Sequence, residues 1–219
     1  MKIILYHGSE VEVERPLLDR CKTNNDYGRG FYCTDDLELS KEWACKRGNN
    51  GYSNQYVLDL DGLKILDLTD DDHGTLDWIT VLIENRTFPI DPDSLATESR
   101  SFLIENHHID LVDYDIVIGF RADDSYFSYA QTFLENGMSI ESLEEAMHLG
   151  DLGIQTALIS EKAIQHLSFI GSEKIVDSEY GRKFLDRDRK ARDDLKNIKR
   201  SKHIGTFIID IMRGSDEKL

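Results

Sequence analysis

Lys2-Ile3-Ile4-Leu5-Tyr6-His7-Gly8-Ser9 is the stretch from which the rest of the chain is read. Its apolar run predicts a short core strand over residues 2–6. His7-Gly8-Ser9 then closes the strand with three polar or small residues. Residues 10–30 are polar and contain Pro16, Asn24-Asn25-Asp26 and two glycines. A loop of that length is expected to be functional rather than a mere connection.

Further outward, Phe31 to Thr34 predict a second strand. Asp35 or Asp36 caps a helix through about Arg47, which buries Leu37, Trp43 and Ala44. Residues 56–60 and 64–68 alternate around Asp61-Gly62 and predict a β-hairpin. Helices are expected over 75–85, 94–106, 125–135 and 140–149, the last with Ser139 as N-cap and Glu141 in its first turn. Strands are expected over 115–120, 155–160 and 168–176, with a helical turn at 161–164. A long helix spans 179–200, its apolar stripe being Phe184, Ala191, Leu195 and Ile198. The tail at 204–212 packs back. Regular βαβ alternation is missing, so the fold class is α+β rather than a doubly wound sheet.

At 219 residues, the chain suits one domain, with a core over 1–178 and a helical extension over 179–219. Hydrophobic residues make up 40% and charged residues 31%, which excludes a disordered chain. No apolar run approaches the ~20 residues that span a bilayer, so no membrane role is expected. Cys21, Cys33 and Cys45 form no CxxC pair, which predicts reduced thiols, no metal site and a cytoplasmic location. The net charge is −16, yet residues 182–202 hold ten Lys/Arg against four Asp/Glu. On that basic helix, Arg182/Asp186, Arg189/Asp193 and Asp186/Lys190 stand at i,i+4, as on a solvated ion-paired face. The alternative is a docking surface for an acidic partner or nucleic acid.

Three distant segments carry chemistry: Leu5-Tyr6-His7-Gly8-Ser9, Asp26-Tyr27-Gly28-Arg29-Gly30-Phe31-Tyr32-Cys33-Thr34, and Gly153-Ile154-Gln155-Thr156-Ala157-Leu158. Each is weak alone, because a histidine at a strand end is more often structural. The glycines match neither a dinucleotide fingerprint nor a P-loop. Together they resemble the ADP-ribosyltransferase superfamily in its diphtheria-toxin and poly-ADP-ribose-polymerase branch. There His-Gly-Ser/Thr ends the first strand, Gly-x-Gly-φ-Tyr opens the second motif, and a Glu or a substitute begins a later strand. The chain is also similar to an uncharacterised bacterial family placed in that superfamily. The shared stretches are Ile118-Gly119-Phe120-Arg121-Ala122-Asp123-Asp124-Ser125-Tyr126-Phe127 and Ile83-Glu84-Asn85-Arg86-Thr87-Phe88.

The resemblance implies a split mixed and antiparallel sheet with flanking helices and a long C-terminal helix. It implies NAD as substrate, and transfer of ADP-ribose to a protein or nucleic-acid acceptor as nicotinamide leaves. NAD hydrolysis, or a nucleotide-binding or interaction module without chemistry, are the alternatives. Compact domains of this kind resemble toxins or phage-defence effectors, for which an antitoxin is a possible partner.

The chemistry assigns each residue a role. Gly8, having no side chain, lets its backbone approach the carboxamide, and His7 donates to a ribose hydroxyl. Ser9 adds a hydroxyl. Tyr32 stacks on the nicotinamide, and Tyr27 is a second, lid-like aromatic. Gly28 and Gly30 allow a close approach. Arg29 and, as the weaker choice, Arg20 suit the pyrophosphate.

Gln155 stands where many relatives carry Glu. It keeps an acceptor oxygen for the ribose 2′-hydroxyl but has no charge. That leaves open a slower transferase, another acceptor or a domain without turnover. Asp123 or Asp124 supplies a general base or the missing charge; equally, Asp124 or Ser125 caps the next helix and Arg121 pairs with an acid. His107-His108 is read as a surface pair, and Trp43 and Trp78 as core.

Overall fold

A seam between two sheets runs through Tyr6 and Thr34, whose peptide groups exchange hydrogen bonds of 2.7 and 2.9 Å. The computed structural model describes residues 1–46, 48–122, 124–147, 153–201 and 205–216. The first sheet is antiparallel, in the order β1 (Lys2–Ser9), β3 (Gly51–Asp59), β7 (Leu167–Ile175). The second has the order β2 (Phe31–Cys33), β6 (Ile154–Leu158), β5 (Ile116–Phe120), β4 (Ile65–Asp67). Within it only β4 and β5 run parallel. The fold is α+β.

The helices are α1 (Leu37–Ala44), α2 (Thr75–Asn85), α3 (Leu95–His107), α4 (Asp124–Leu134), α5 (Ile140–Met147), α6 (Glu161–Gln165), α7 (Asp177–Ser201) and α8 (Ile208–Asp216). Short polar side chains start several of them. Asp36 accepts from the Leu39 amide at 3.1 Å, Ser160 from Ala163 at 3.0 Å and Ser139 from Ser142 at 3.3 Å. Each bond satisfies an amide that the helix leaves orphaned.

Strand alternation sends neighbouring residues into different cores. Ile116 and Leu158 join Leu5, Phe31, Cys33, Tyr56 and Leu58 between the two sheets. Val117 and Ala157 face the larger core, where Trp78, Ile79, Leu82, Leu103 and Phe133 pack. Ile208 of α8 is fully buried in that same core, so the tail does fold back.

Helix α1 lies close on the first sheet because Gly8, Gly51 and Ser53 present small residues to it. A Cβ on Gly8 would stand 2.0 Å from the Ser40 carbonyl oxygen, and one on Gly51 would stand 2.2 Å from that of Ala44. Ser53 and Ser40 hydroxyls bond at 2.6 Å across the same contact.

Two expectations are corrected. The Asp61-Gly62 turn is present, with Gly62 at φ +72°, but its flanking strands do not pair. Both edges of β3 are taken by β1 and β7, so the chain crosses to the other sheet and β4 pairs with β5. On α7, Asp186 pairs with Arg189 at 3.4 Å, one residue short of the expected spacing. Its Arg187 reaches across to Glu42 of α1 through Nε at 2.8 Å and Nη2 at 2.9 Å, so part of the basic helix is docked. Of the expected apolar stripe, Phe184 is half-buried; the side chains of Ala191, Leu195 and Ile198 lie outside those described.

Candidate active site

The antiparallel register that pairs Tyr6 with Thr34 would next pair Gly8 with Tyr32. It does not, because the imidazole Nδ1 of His7 takes the Tyr32 carbonyl oxygen at 2.7 Å. The two strands part at this point. Backbone direction alternates along a strand, so the Gly8 N–H and C=O point the same way as those of Tyr6, past the end of β2. Neither group bonds β2, the Tyr6–Thr34 bridge being the last backbone contact toward that strand among the described residues.

A carbonyl can only accept, so His7 carries its proton on Nδ1, and Nε2 holds a lone pair. Burial lowers the imidazole pKa from its ordinary 6.5, which keeps the ring neutral. The expectation that His7 donates to a ligand hydroxyl is corrected: Nε2 accepts. Phe31 supports the ring at 4.3 Å between centroids.

The parted strands open a cleft of about 710 Å³, lined among others by His7, Gly8, Phe31, Tyr32, Trp43 and Gln155. That volume lies in the range of small-molecule sites. Six of its lining residues are cationic: Arg15, Arg20, Lys22, Lys46, Arg86 and Arg121. Among the described lining residues, Asp26 is the one acidic residue. A chain of net charge −16 thus gathers positive charge at one concave place, which favours an anionic ligand.

The floor is a buried polar cluster. Gln155 and Asp26 are only 4% and 5% exposed. Gln155 Nε2 donates to Asp26 Oδ2 at 2.7 Å, the Ala122 amide donates to the same oxygen at 2.9 Å, and Arg86 Nε stands 3.0 Å from Oδ1. Burial pushes the Asp26 carboxyl up, against the pull of Arg86 and the two hydrogen bonds.

A family model described as "Protein of unknown function (DUF3990)" matches residues 3–169. The chain belongs to the DUF3990 family. Neither the curated proteins nor the solved structures contain a match. The DUF3990 span includes every lining residue of the cleft, while α7 lies beyond it.

Within this DUF3990 domain, the glycine-rich motif builds the wall rather than a lid. Tyr27 is 1% exposed, its hydroxyl donating to the Phe120 carbonyl at 2.7 Å, with Trp78 Nε1 at 3.2 Å. Gly119 leaves room for that phenol, since a Cβ there would stand 2.2 Å from it. Tyr27 is therefore core and not a cleft aromatic. Tyr32 holds the turn above it: its hydroxyl donates to the Gly28 carbonyl at 2.8 Å and accepts from the Tyr27 amide at 3.0 Å. Gly28 sits at φ +72° against Asn85, a conformation that favours glycine.

The two arginines exchange rank. Arg29 is exposed, gives Nη1 to the Asp19 carbonyl at 3.0 Å and is not among the lining residues, whereas Arg20 is. Ser9 is also turned away: its hydroxyl donates to the Val11 carbonyl at 2.7 Å and accepts from Asn54 at 2.9 Å. Asp123 lies outside the described residues, and of Asp124 only the backbone, in the first turn of α4, is described. His107 and His108 bond Asp77 at 2.9 Å and Glu84 at 2.8 Å, away from the cleft.

Trp43, read as core from sequence, lines the cleft with Arg121 over its ring at 4.8 Å; Trp78 is core. Asp26 and Arg86 were present in the quoted motifs but had no assigned role. Asp26 meets Gln155 across 129 residues of sequence, a distance at which no local pattern speaks.

Among the described residues, no group of three or more His, Cys, Asp or Glu could hold a metal ion. The three cysteines are free thiols, and no described helix is long and apolar enough to cross a membrane.

Proposed function

We propose that the cleft binds NAD, breaks its nicotinamide–ribose bond and transfers ADP-ribose to a macromolecular acceptor. The observation that carries this reading is the meeting of His7, Tyr32 and Gln155 around Gly8 where β1 parts from β2.

A primary carboxamide has one acceptor oxygen and a donor nitrogen. The Gly8 N–H and C=O complement both. Tyr32 and Trp43 offer aromatic faces to a cationic pyridinium, worth about 0.5–2 kcal/mol. Arg20, Arg15 and Lys22 suit a pyrophosphate. His7 Nε2 and Gln155 Oε1 accept from ribose hydroxyls.

In the reaction, the bond between ribose C1′ and the pyridinium nitrogen breaks and its electron pair leaves with nicotinamide. An acceptor oxygen or nitrogen then bonds C1′ and releases its proton. Hydroxyl contacts that strengthen as C1′ becomes cationic lower the barrier. Free thiols fit action in the reducing cytoplasm.

The uncharged Gln155 favours a second reading, a nucleotide-binding module without turnover. One experiment separates the outcomes: incubation with cell lysate and NAD labelled in its adenylate phosphate. Label on protein or nucleic acid supports transfer, and free labelled ADP-ribose supports hydrolysis at the same site. Intact NAD with every acceptor mixture overturns the proposal. A thermal shift of about 1.4 kcal/mol at ten times the dissociation constant would then support the binding module.

A further inference from the structure

Gln155 cannot sit in its pocket either way round. Asp26 Oδ2 already takes the Ala122 amide at 2.9 Å, and its other oxygen faces Arg86 at 3.0 Å. With the Arg86 cation beside it and the Ala122 amide already on Oδ2, the carboxylate accepts, and the group it receives at 2.7 Å is the Gln155 NH2. The amide oxygen of Gln155 is thereby turned away from Asp26. Flipping the amide would set two acceptor oxygens against each other inside a site 4–5% exposed and lose the bond between them.

The same geometry restricts what residue 155 can be. A glutamate there would place a second carboxylate at hydrogen-bond distance from Asp26, and two carboxyl groups so close share a proton rather than both ionise. A glutamine keeps the acceptor and supplies the N–H that Asp26 needs. Donation to a carboxylate also polarises the amide and makes its oxygen a better acceptor. The charge that a bare glutamine lacks therefore stands one hydrogen bond behind it.

We propose that Asp26 is the positioning residue for Gln155: the two act as one unit, in which Asp26 locks the amide so that its oxygen faces the ribose. Arg86 holds Asp26 in turn. This rests on the reading that the cleft acts on NAD. The contact with the ribose that the proposal requires is made by Gln155, with Asp26 acting through it.

The test is a double-mutant cycle on the full chain, with nicotinamide release and thermal unfolding both measured. Asp26→Asn removes the charge and frees the amide to flip; kcat should fall about tenfold with KM changed less than about twofold. Gln155→Glu should lose a similar factor at pH 8. Relative to wild type at each pH it should recover on acidification, as a shared proton restores the donor toward Asp26. The swap Asp26→Asn/Gln155→Glu, with one acid and one amide again, should return to within about threefold of wild type. Losses that simply multiply in the swap overturn the proposal, as does wild-type kcat in a folded Asp26→Asn. If Asp26→Asn does not fold, the pH response of Gln155→Glu decides: a constant ratio to wild type across pH overturns it. A wild-type protein that releases no nicotinamide instead refutes the underlying reading.

Discussion

The imidazole Nδ1 of His7 lies 2.7 Å from the carbonyl oxygen of Tyr32, and this bond stands where the sheet would otherwise continue. The side chain of β1 takes the acceptor that a continued ladder would give to the Gly8 amide. One hydrogen bond thus fixes the tautomer of His7, ends the seam between the sheets and leaves the Gly8 peptide groups facing a cleft.

A pH dependence follows from the neutral ring. Burial holds the folded His7 pKa below the 6.5 of an exposed histidine. The unfolded chain therefore takes up the proton first as pH falls, which favours unfolding. The stability contributed by the neutral ring is fully present above about pH 6.5 and is lost as pH falls through the folded value. Nicotinamide release should fall over the same window, because protonated Nε2 can no longer accept. His7→Gln should flatten the acid limb of a denaturation series; an unchanged limb would assign it to another group.

Tyr32 separates ring from hydroxyl. Tyr32→Phe keeps an aromatic face but leaves the buried Tyr27 amide and Gly28 carbonyl without their partner. Stability should fall by about 1–3 kcal/mol in urea titration, while KM for NAD changes little. Tyr32→Ala should raise KM as well. Equal stability of Tyr32→Phe and wild type would show that the phenol does not hold the turn.

Gly8 is needed for packing independently of any ligand. Gly8→Ala would press a methyl against the Ser40 carbonyl at 2.0 Å and the Ala44 amide at 2.7 Å, both helix backbone. The expected cost is about 2–3 kcal/mol, or a Tm about 5–10 °C lower by calorimetry.

The two candidate arginines should differ in effect. Arg20 lines the cleft, while Arg29 is committed to the Asp19 carbonyl. Arg20→Ala should raise KM for NAD about five- to tenfold, with the effect shrinking at high salt. Arg29→Ala should change KM less than about twofold. The reverse order would place the anionic part of the ligand elsewhere.

The sequence was informative wherever a signal is local. Element types follow apolar spacing, so the strand over residues 2–6, the helix over 75–85 and the α+β class were readable. The cap Ser139 and the pair Asp35 or Asp36, of which Asp36 is the cap, are legible because capping involves residues three apart. The hairpin expected around Gly62 does not form because a turn signal reports the turn and not the partner of the strands beside it. Partner choice depended on β1 and β7 occupying both edges of β3.

The site was legible in part for the same reason. His7, Gly8, Tyr32 and Gln155 stand in compact motifs and line one cleft. The burial of Tyr27 is not legible in its motif because its environment is set by Gly119 and Trp78, far away in sequence. Asp26 and Arg86 meet Gln155 only through long-range folding, which no spacing rule covers.

The most direct measurement is nicotinamide release from NAD by the purified protein, beside His7→Ala with its folding checked by thermal unfolding. The account expects release by the wild type and a fall of about a hundredfold or more in a folded His7→Ala. Release at the wild-type rate from His7→Ala would contradict it, because the chemistry would then lie outside the cleft where the two sheets part.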